Sequence, residues 1–388
     1  MEIRPITKAE RDQAIYVGAQ AFARGARNHT YMDDSDQDES VTFGIWDENG
    51  LQAKVVVVGF RVHLGPDVVV PMGGIAGVAC LPASRGRGYA GAGLKYALER
   101  MREAGQILSA LFPFSWDYYR RFGWEWVGAY PRYSAPARIF KPDPGTENVR
   151  AATPQDRPKV EDVYRQFAGR YRGMISRTER DWNHILNDSP KNFTYTYLYE
   201  QAGQVEGYLT YRGGKEEETH IREFLCLTPH AQRALLGLLR RHEMQVEKFT
   251  WSAAPDDGLW AQGYHWDIET RLGPVTQGRV VDVPAALQAW KPSASVQGRL
   301  TLGVQDECAP WNTGTWQVAF SGGQVEVRPA SSEPQVSLDI QALSQAYFGT
   351  PSVSDLRAWE RLQVHEEAGY QALVDLLAGP PMWMNDHF

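Results

Sequence analysis

Cysteine is scarce and unpatterned in this chain. Cys80, Cys226 and Cys308 are scattered and odd in number among 388 residues, which excludes a disulfide framework and points to a reducing compartment, the cytoplasm. Long hydrophobic runs are missing: none approaches the roughly 18 residues that a membrane span needs. Met1 leads directly into the polar EIRPITKAERD, so neither a span nor a signal peptide is expected. Metal-ligand spacing is missing too, since the histidines form no HExxH motif and no Cys/His cluster, and no metal is expected. Basic excess is also absent. Lys and Arg number 40 against 47 Asp and Glu, and the net charge of −7 argues against a nucleic-acid partner while suiting a cationic one. What remains is ordinary globular composition, 43% hydrophobic and 22% charged, in a chain long enough for two or three domains with cores of their own.

The most informative stretch is GGIAGVACLPASRGRGYAGAGL, Gly73 to Leu94. It reads as a buried strand (Ile75 to Leu81), a turn at Pro82-Ala83-Ser84, an Arg/Gly run (Arg85 to Ala90) and a helix rich in Ala, Leu and Gly. Small residues let backbone approach a ligand, and the first amides of the helix point outward with the positive end of its dipole. Two arginines complement a pyrophosphate. A phosphate-bearing cofactor is therefore expected here. Gly86-x-Gly88-x-x-Gly91 formally matches the dinucleotide pattern, but three strand-like segments precede it, and the acidic candidate, Asp117, lies 26 residues past Gly91 in an aromatic segment. No Lys-Ser/Thr pair follows the glycines, so a P-loop fits less well still.

Around this stretch, Glu2 to Thr7 is strand-like and Thr7-x-x-Glu10 is a capping box for a helix through Phe22. Asn28 to Glu39 is a polar, acidic loop or short helix. Thr42 to Asp47 and Lys54 to Leu64 read as strands around a turn at Glu48-Asn49-Gly50. Gln106 to Phe114 is a further buried strand, Ser115 to Phe122 a short helix ended by Gly123, and Trp124 to Val127 a strand. An internal repeat then appears. Val149 to Thr153 followed by a helix to Phe167 echoes Ile3 to Thr7 followed by a helix to Phe22, at an offset of 146 residues (149 minus 3). The same offset lays Cys226-Leu227-Thr228 on Cys80-Leu81-Pro82. The second copy replaces the Arg/Gly run with Ala231 to Leu236 and so loses its charge and close backbone approach. From about Val280 the pattern changes: a short helix at Asp282 to Trp290, alternating strands at Gly298 to Gln305, Thr315 to Phe320 and Gln324 to Arg328, then helices at Ser337 to Tyr347 and Ala368 to Ala378, a small α+β domain.

Val78 to Ala90, with Arg85-x-x-Gly88-x-Ala90 after a strand, resembles motif A of the GNAT acetyltransferases. That resemblance implies that Val78, Ala79 and Cys80 offer backbone groups to the pantetheine arm of acetyl-CoA. It implies that Arg85, Gly86, Arg87, Gly88, Tyr89, Ala90 and Gly91 hold the pyrophosphate, and that Phe114 and Ser115 add further contacts. Tyr119-x-x-Phe122-Gly123 resembles a late GNAT pattern in which a Tyr sits beside the cofactor sulfur, making Tyr119 the candidate general acid, with Tyr118 its competitor.

The whole chain resembles the Eis (enhanced intracellular survival) family, through motif A, the Tyr-x-x-Phe-Gly pattern, Asp282-Val283-Pro284-Ala285-Ala286-Leu287, the Cys308-x-Pro310-Trp311-Asn312 turn and a C-terminal Phe. It implies an α+β fold of tandem GNAT modules followed by a sterol-carrier-protein-like domain. The expected bounds are 1–145 for the catalytic module, 146–279 for a degenerate copy without the cofactor motif and 280–388 for the last domain. It implies an acetyl-CoA-dependent N-acetyltransferase acting on primary amines, aminoglycoside- or polyamine-like, by direct transfer in a ternary complex, and a hexamer built from trimers. Tyr119 would protonate the CoA thiolate, and the α-carboxylate of Phe388, threaded back into the first module, would take the amine proton, directly or through water; His387 is an alternative base. Cys80 invites an acetyl-enzyme reading against its ordinary role as a small core hydrophobe. Two other functions stay open: a lipid or sterol binder with the GNAT modules as scaffold, and a CoA-binding regulator without turnover.

Overall fold

The structure, a computed structural model, describes residues 1–23, 40–186, 194–212, 218–263, 267–274 and 276–388. The acidic stretch at 28–39 lies outside them. The chain divides into two compact units, Met1–Leu64 with Val68–Gly128 and Val275–Phe388, and Gly65–Asp67 with Ala129–Pro274. Both are mixtures of helix and sheet, and the fold class is α+β.

The first unit opens with β1 (Glu2–Pro5), α1 (Arg11–Ala21), β2 (Ser40–Asp47), β3 (Gly50–Gly65), β4 (Val68–Cys80), α2 (Tyr89–Glu103), β5 (Leu108–Leu111), α3 (Trp116–Arg120) and β6 (Glu125–Trp126). β2 and β3 form an antiparallel hairpin whose turn is set by Asp47, which accepts the Asn49 amide at 2.8 Å. α2 buries Gly93, Leu94, Ala97, Leu98 and Met101, one stripe at helical spacing, against the core made by β2, β3 and β5. The strand expected at Ile75 to Leu81 is only the second half of β4. Gly73 and Gly74 precede the expected strand, yet they stand mid-strand, where side chains of other elements occupy the space a Cβ would need: Met101 at Gly73, and Phe60 and Phe388 at Gly74.

The second unit follows with β7 (Ala129–Pro136), β8 (Val149–Ala151), α4 (Arg157–Ala168), α5 (Glu179–Ile185), β9 (Thr194–Gln201), β10 (Gln204–Arg212), β11 (Glu218–Cys226), α6 (Pro229–Arg240), β12 (Lys248–Ser252) and β13 (Glu269–Pro274). Its seven-stranded sheet has the order β13-β7-β12-β11-β10-β9-β8 over an aromatic core that includes Tyr133, Tyr199, Phe249 and Trp251. The repeat is visible in atomic detail. Arg4 holds Glu10, the partner of Thr7 in its capping box, and 146 residues later Arg150 holds Asp156, the partner of Thr153. α6 begins three residues after β11 ends, and Ala231, Ala234, Leu235 and Leu236 are all buried within it, so helix replaces the loop that the first copy has at this point.

The chain returns to the first unit with β14 (Gln277–Val280), α7 (Val283–Ala289), β15 (Gly298–Gln305), β16 (Gly314–Ser321), β17 (Gln324–Ala330), β18 (Val336–Asp339), α8 (Ile340–Phe348), α9 (Val353–Ala358), β19 (Leu362–Val364) and α10 (Glu367–Leu377). β14 inserts between β5 and β6, completing a sheet of order β1-β2-β3-β4-β5-β14-β6. Linear division at the repeat puts β7 with the first module and β14 with the second; the sheets hold them the other way round, because hydrogen bonding to an open strand edge, rather than chain order, decides membership. The last five strands form a separate sheet, β17-β16-β15-β18-β19. The helix expected from Ser337 starts at Ile340 instead: Val336–Asp339 pairs with β15 and β19, and the side chain of Asp339 caps the helix that follows.

Candidate active site

β4 and β5 pair in parallel from Met72↔Leu108 to Ile75↔Leu111. There β5 ends, while β4 runs on to Cys80 through Gly77, whose φ of +50° puts a left-handed residue in the free half. The hydroxyl of Ser109 donates to the Gly73 carbonyl at 2.7 Å and accepts from the Trp124 indole, fixing the point where the strands part. Val78, Ala79 and Cys80 all lie on the part of β4 beyond that pairing. Cys80 is half-buried, and burial pushes its thiol pKa up, which disfavours the thiolate an acetyl-enzyme would need.

Past Cys80 the chain makes a tight turn at Pro82–Ser84, with the Ser84 hydroxyl donating to Gln52 Oε1 at 2.5 Å. Gly86 and Gly88 follow with φ of +81° and +84°, and nothing lies within 4 Å of where a Cβ would stand on either. Gly88 is the N-cap of α2 and no side chain caps the helix, so its first amides face an open cradle with Arg85 and Arg87 exposed beside it. A pyrophosphate fits this chemistry. Two of the expected contact residues use their side chains elsewhere: Arg85 donates to the Ala21 carbonyl at 2.8 Å, and the Tyr89 hydroxyl donates to Asp47 Oδ2 at 2.6 Å. They brace the loop against α1 and β2 and leave its backbone to face a ligand.

Phe114 is 70% exposed, and its ring centroid stands 5.4 Å from those of both Tyr118 and Tyr119. Ser115 is the N-cap of α3. Tyr119 is buried, burial raises its pKa, and its hydroxyl has no hydrogen-bond partner among the described residues. Tyr118 is less buried, its pKa also raised by burial, and the Arg121 guanidinium lies 5.1 Å from its ring. An open cleft of about 680 Å³ runs from Phe114, Ser115 and Tyr118 toward Gln341 and Arg361.

The C-terminal tail lies against the same place. Met382, Trp383 and Met384 are buried, and the Phe388 ring sits over Gly74, 4.8 Å from Phe60 and 5.2 Å from Phe112. His387 stacks on Phe112 at 3.8 Å. Gly74 is one residue short of the last β4–β5 pair. Phe60, Phe112, Gln277 and Arg279 are contacts that reading the sequence did not find. The first two carried no signal beyond being aromatic, and the last two lie 161 and 157 residues from the backbone they hold.

Comparison with known proteins matches Acetyltransferase (GNAT) domain models to residues 2–127 and 173–280, together well over half of the chain, and a Sterol carrier protein domain model to 283–385. The chain is 27% identical over 346 residues to an uncharacterized N-acetyltransferase of Streptomyces avermitilis, covering 83% of each. It is 24% identical over 330 residues to N-acetyltransferase Eis of Mycobacterium tuberculosis, covering 79% of this chain and 78% of that one. The chain belongs to the Eis family of GNAT N-acetyltransferases. A GCN5-related N-acetyltransferase from Anabaena variabilis has the same fold over the full length of both chains, with a TM-score of 0.88 at 22% identity. Enzymes of the GNAT class use acetyl-CoA, and the cradle at Gly86 and Gly88 suits its pyrophosphate. Among the described residues no cluster of His, Cys, Asp and Glu has the makings of a metal site, and no helix is long and apolar enough to cross a membrane.

Proposed function

We propose that the first unit transfers an acetyl group to a primary amine of an aminoglycoside- or polyamine-like acceptor, directly and within a ternary complex. Acetyl-CoA supplies the activated acyl group as a thioester. Backbone of Val78, Ala79 and Cys80 beyond the β5 pairing holds the pantetheine arm, the amides from Arg85 to Gly91 hold the pyrophosphate, and Phe114 and Ser115 border the thioester. The acceptor nitrogen forms its bond to the acyl carbon as the carbon–sulfur bond breaks. Tyr119 gives its hydroxyl proton to the departing sulfur, and the α-carboxylate of Phe388, directly or through water, takes the proton that the nitrogen loses. The raised pKa of Tyr119 keeps it protonated at neutral pH, as a donor must be. A net charge of −7 favours a cationic acceptor.

The seat of Phe388 carries this proposal: its ring is clamped over Gly74 by Phe60 and Phe112, beside the point where β4 and β5 separate. The test is thiol release from acetyl-CoA against a panel of polyamines and kanamycin-like amines. Removing Phe388, or changing Tyr119 to Phe, should lower kcat by roughly 10²-fold or more while acetyl-CoA binding persists. Full turnover without Phe388 would move the base to His387 or water. Full turnover in Tyr119→Phe would move the acid to Tyr118. If no amine is acetylated while a lipid binds, the chain is a lipid binder.

A further inference from the structure

We infer that side chains of β14 and the C-terminal region act as positioning residues for the transfer, by holding the carbonyls at the end of α3; this rests on the assignment of Tyr119 as proton donor. α3 has five residues, too few for a helix to hold itself in water; the Gly123 amide closes the turn on the Arg120 carbonyl at 3.0 Å, and partners from outside reach the closing carbonyls as well. Three successive carbonyls have them. The Arg120 carbonyl accepts from Gln341 Nε2 at 3.1 Å, that of Arg121 from the Cys308 thiol at 3.4 Å, and that of Phe122 from Arg279 Nη1 at 2.5 Å. At the other end, Gln277 Nε2 donates to the Trp116 carbonyl at 3.2 Å.

Arg279 is itself held. Its Nη2 donates to Asp306 Oδ2 at 2.6 Å, and both side chains are essentially inaccessible to solvent. Asp306 in turn accepts from the amides of Cys308 and Ala309 and from Asn312 Nδ2, at 3.0 to 3.1 Å. Gly123 leaves room for this. A Cβ there would collide with the Arg279 guanidinium, and its φ of +89° turns the chain out of α3. The path from Asp306 through Arg279 to Phe122, three residues past Tyr119, is continuous, and its ion pair is buried.

Stability alone explains this arrangement poorly, because a buried ion pair recovers little more than its own desolvation cost. What it fixes well is geometry. A proton donor displaced by about 1 Å can cost two orders of magnitude in rate, and a five-residue helix has few means of its own to resist such a shift.

The decisive variants are Cys308→Ala, Gln341→Ala and the two combined, which remove two of the holds without stranding a buried charge, together with Arg279→Lys. The double variant should lose about tenfold in kcat with KM for acetyl-CoA changed less than about twofold and the melting temperature nearly constant; Arg279→Lys should shift kcat in the same direction. In protein carrying ring-¹³C tyrosine, the Tyr119 resonance, identified by its loss in Tyr119→Phe, should shift or broaden in the double variant. In the Tyr119→Phe background the same pair of changes should cost nothing further. An unchanged resonance with unchanged kcat, or an equal loss in the Tyr119→Phe background, overturns the inference. Failure of the acid assignment shows separately, as full turnover in Tyr119→Phe alone, and the resonance then decides positioning by itself.

Discussion

Gly74 and Gly88 do different work, and single substitutions separate them. A methyl on Gly74 would stand 2.6 Å from the Phe388 ring, so Gly74→Ala should unseat the tail and reproduce the kcat loss of the Phe388 deletion with little change in acetyl-CoA KM, read by steady-state kinetics. A methyl on Gly88 meets nothing but holds φ at +84°, which costs about 1–2 kcal/mol in any other residue. Gly88→Ala should therefore relax the loop and raise acetyl-CoA KM by about tenfold while kcat holds. Burial raises the Tyr119 pKa, so the alkaline limb of catalysis, set by loss of this proton, falls only above the ordinary tyrosine range near 10. A kcat profile that is flat between about pH 8 and 10 with an acceptor of low amine pKa is the expected result. At this scale Gly88 was legible in the sequence because its neighbours form a local pattern. Gly74 was not, because the ring that demands it arrives from residue 388.

The two capping boxes show which elements a sequence announces. Thr7 and Glu10 sit within one turn of each other, so spacing alone identified that box, whereas its counterpart at Thr153 and Asp156, and the arginines reaching in from Arg4 and Arg150, needed the structure. Glu10 has its pKa lowered to about 2, chiefly by the Arg4 side chain and then by the Thr7 amide and hydroxyl. Its folded pKa lies below its unfolded value of 4.5, so its contribution is complete above that value and disappears as pH falls through about 2. Glu10→Gln should lower the melting temperature at pH 7 by a degree or two and leave it unchanged near pH 2, measured by circular dichroism. Strands defined by distant partners were harder. β14 is four residues of no distinctive pattern, and the first residues of what reads as a helix from Ser337 pair instead as β18, a choice that local periodicity does not make.

On the scale of the whole molecule, the order of three family-like segments was readable from the chain, while the exchange of β7 and β14 between sheets was not. The exchange predicts that a fragment of residues 1–145 fails to fold: it lacks the strand that joins β5 to β6, and Gln277 and Arg279 with it. Its amide NMR spectrum should be collapsed where that of the full chain is dispersed. Asp306→Ala should destabilise the full chain by about 3–5 kcal/mol, read by denaturant unfolding, because it leaves Arg279 charged and unpaired in a dry interior. The place of β14 also sets a timetable. A ribosome adds about 5–20 residues each second, and the 151 residues from Trp126 to Gln277 therefore occupy it for on the order of 10 s. Throughout that interval the nascent first sheet carries an open, apolar edge at β5, with LSAL buried in the finished protein and exposed until its partner emerges. The enzyme spends its birth in need of protection that the mature fold no longer requires.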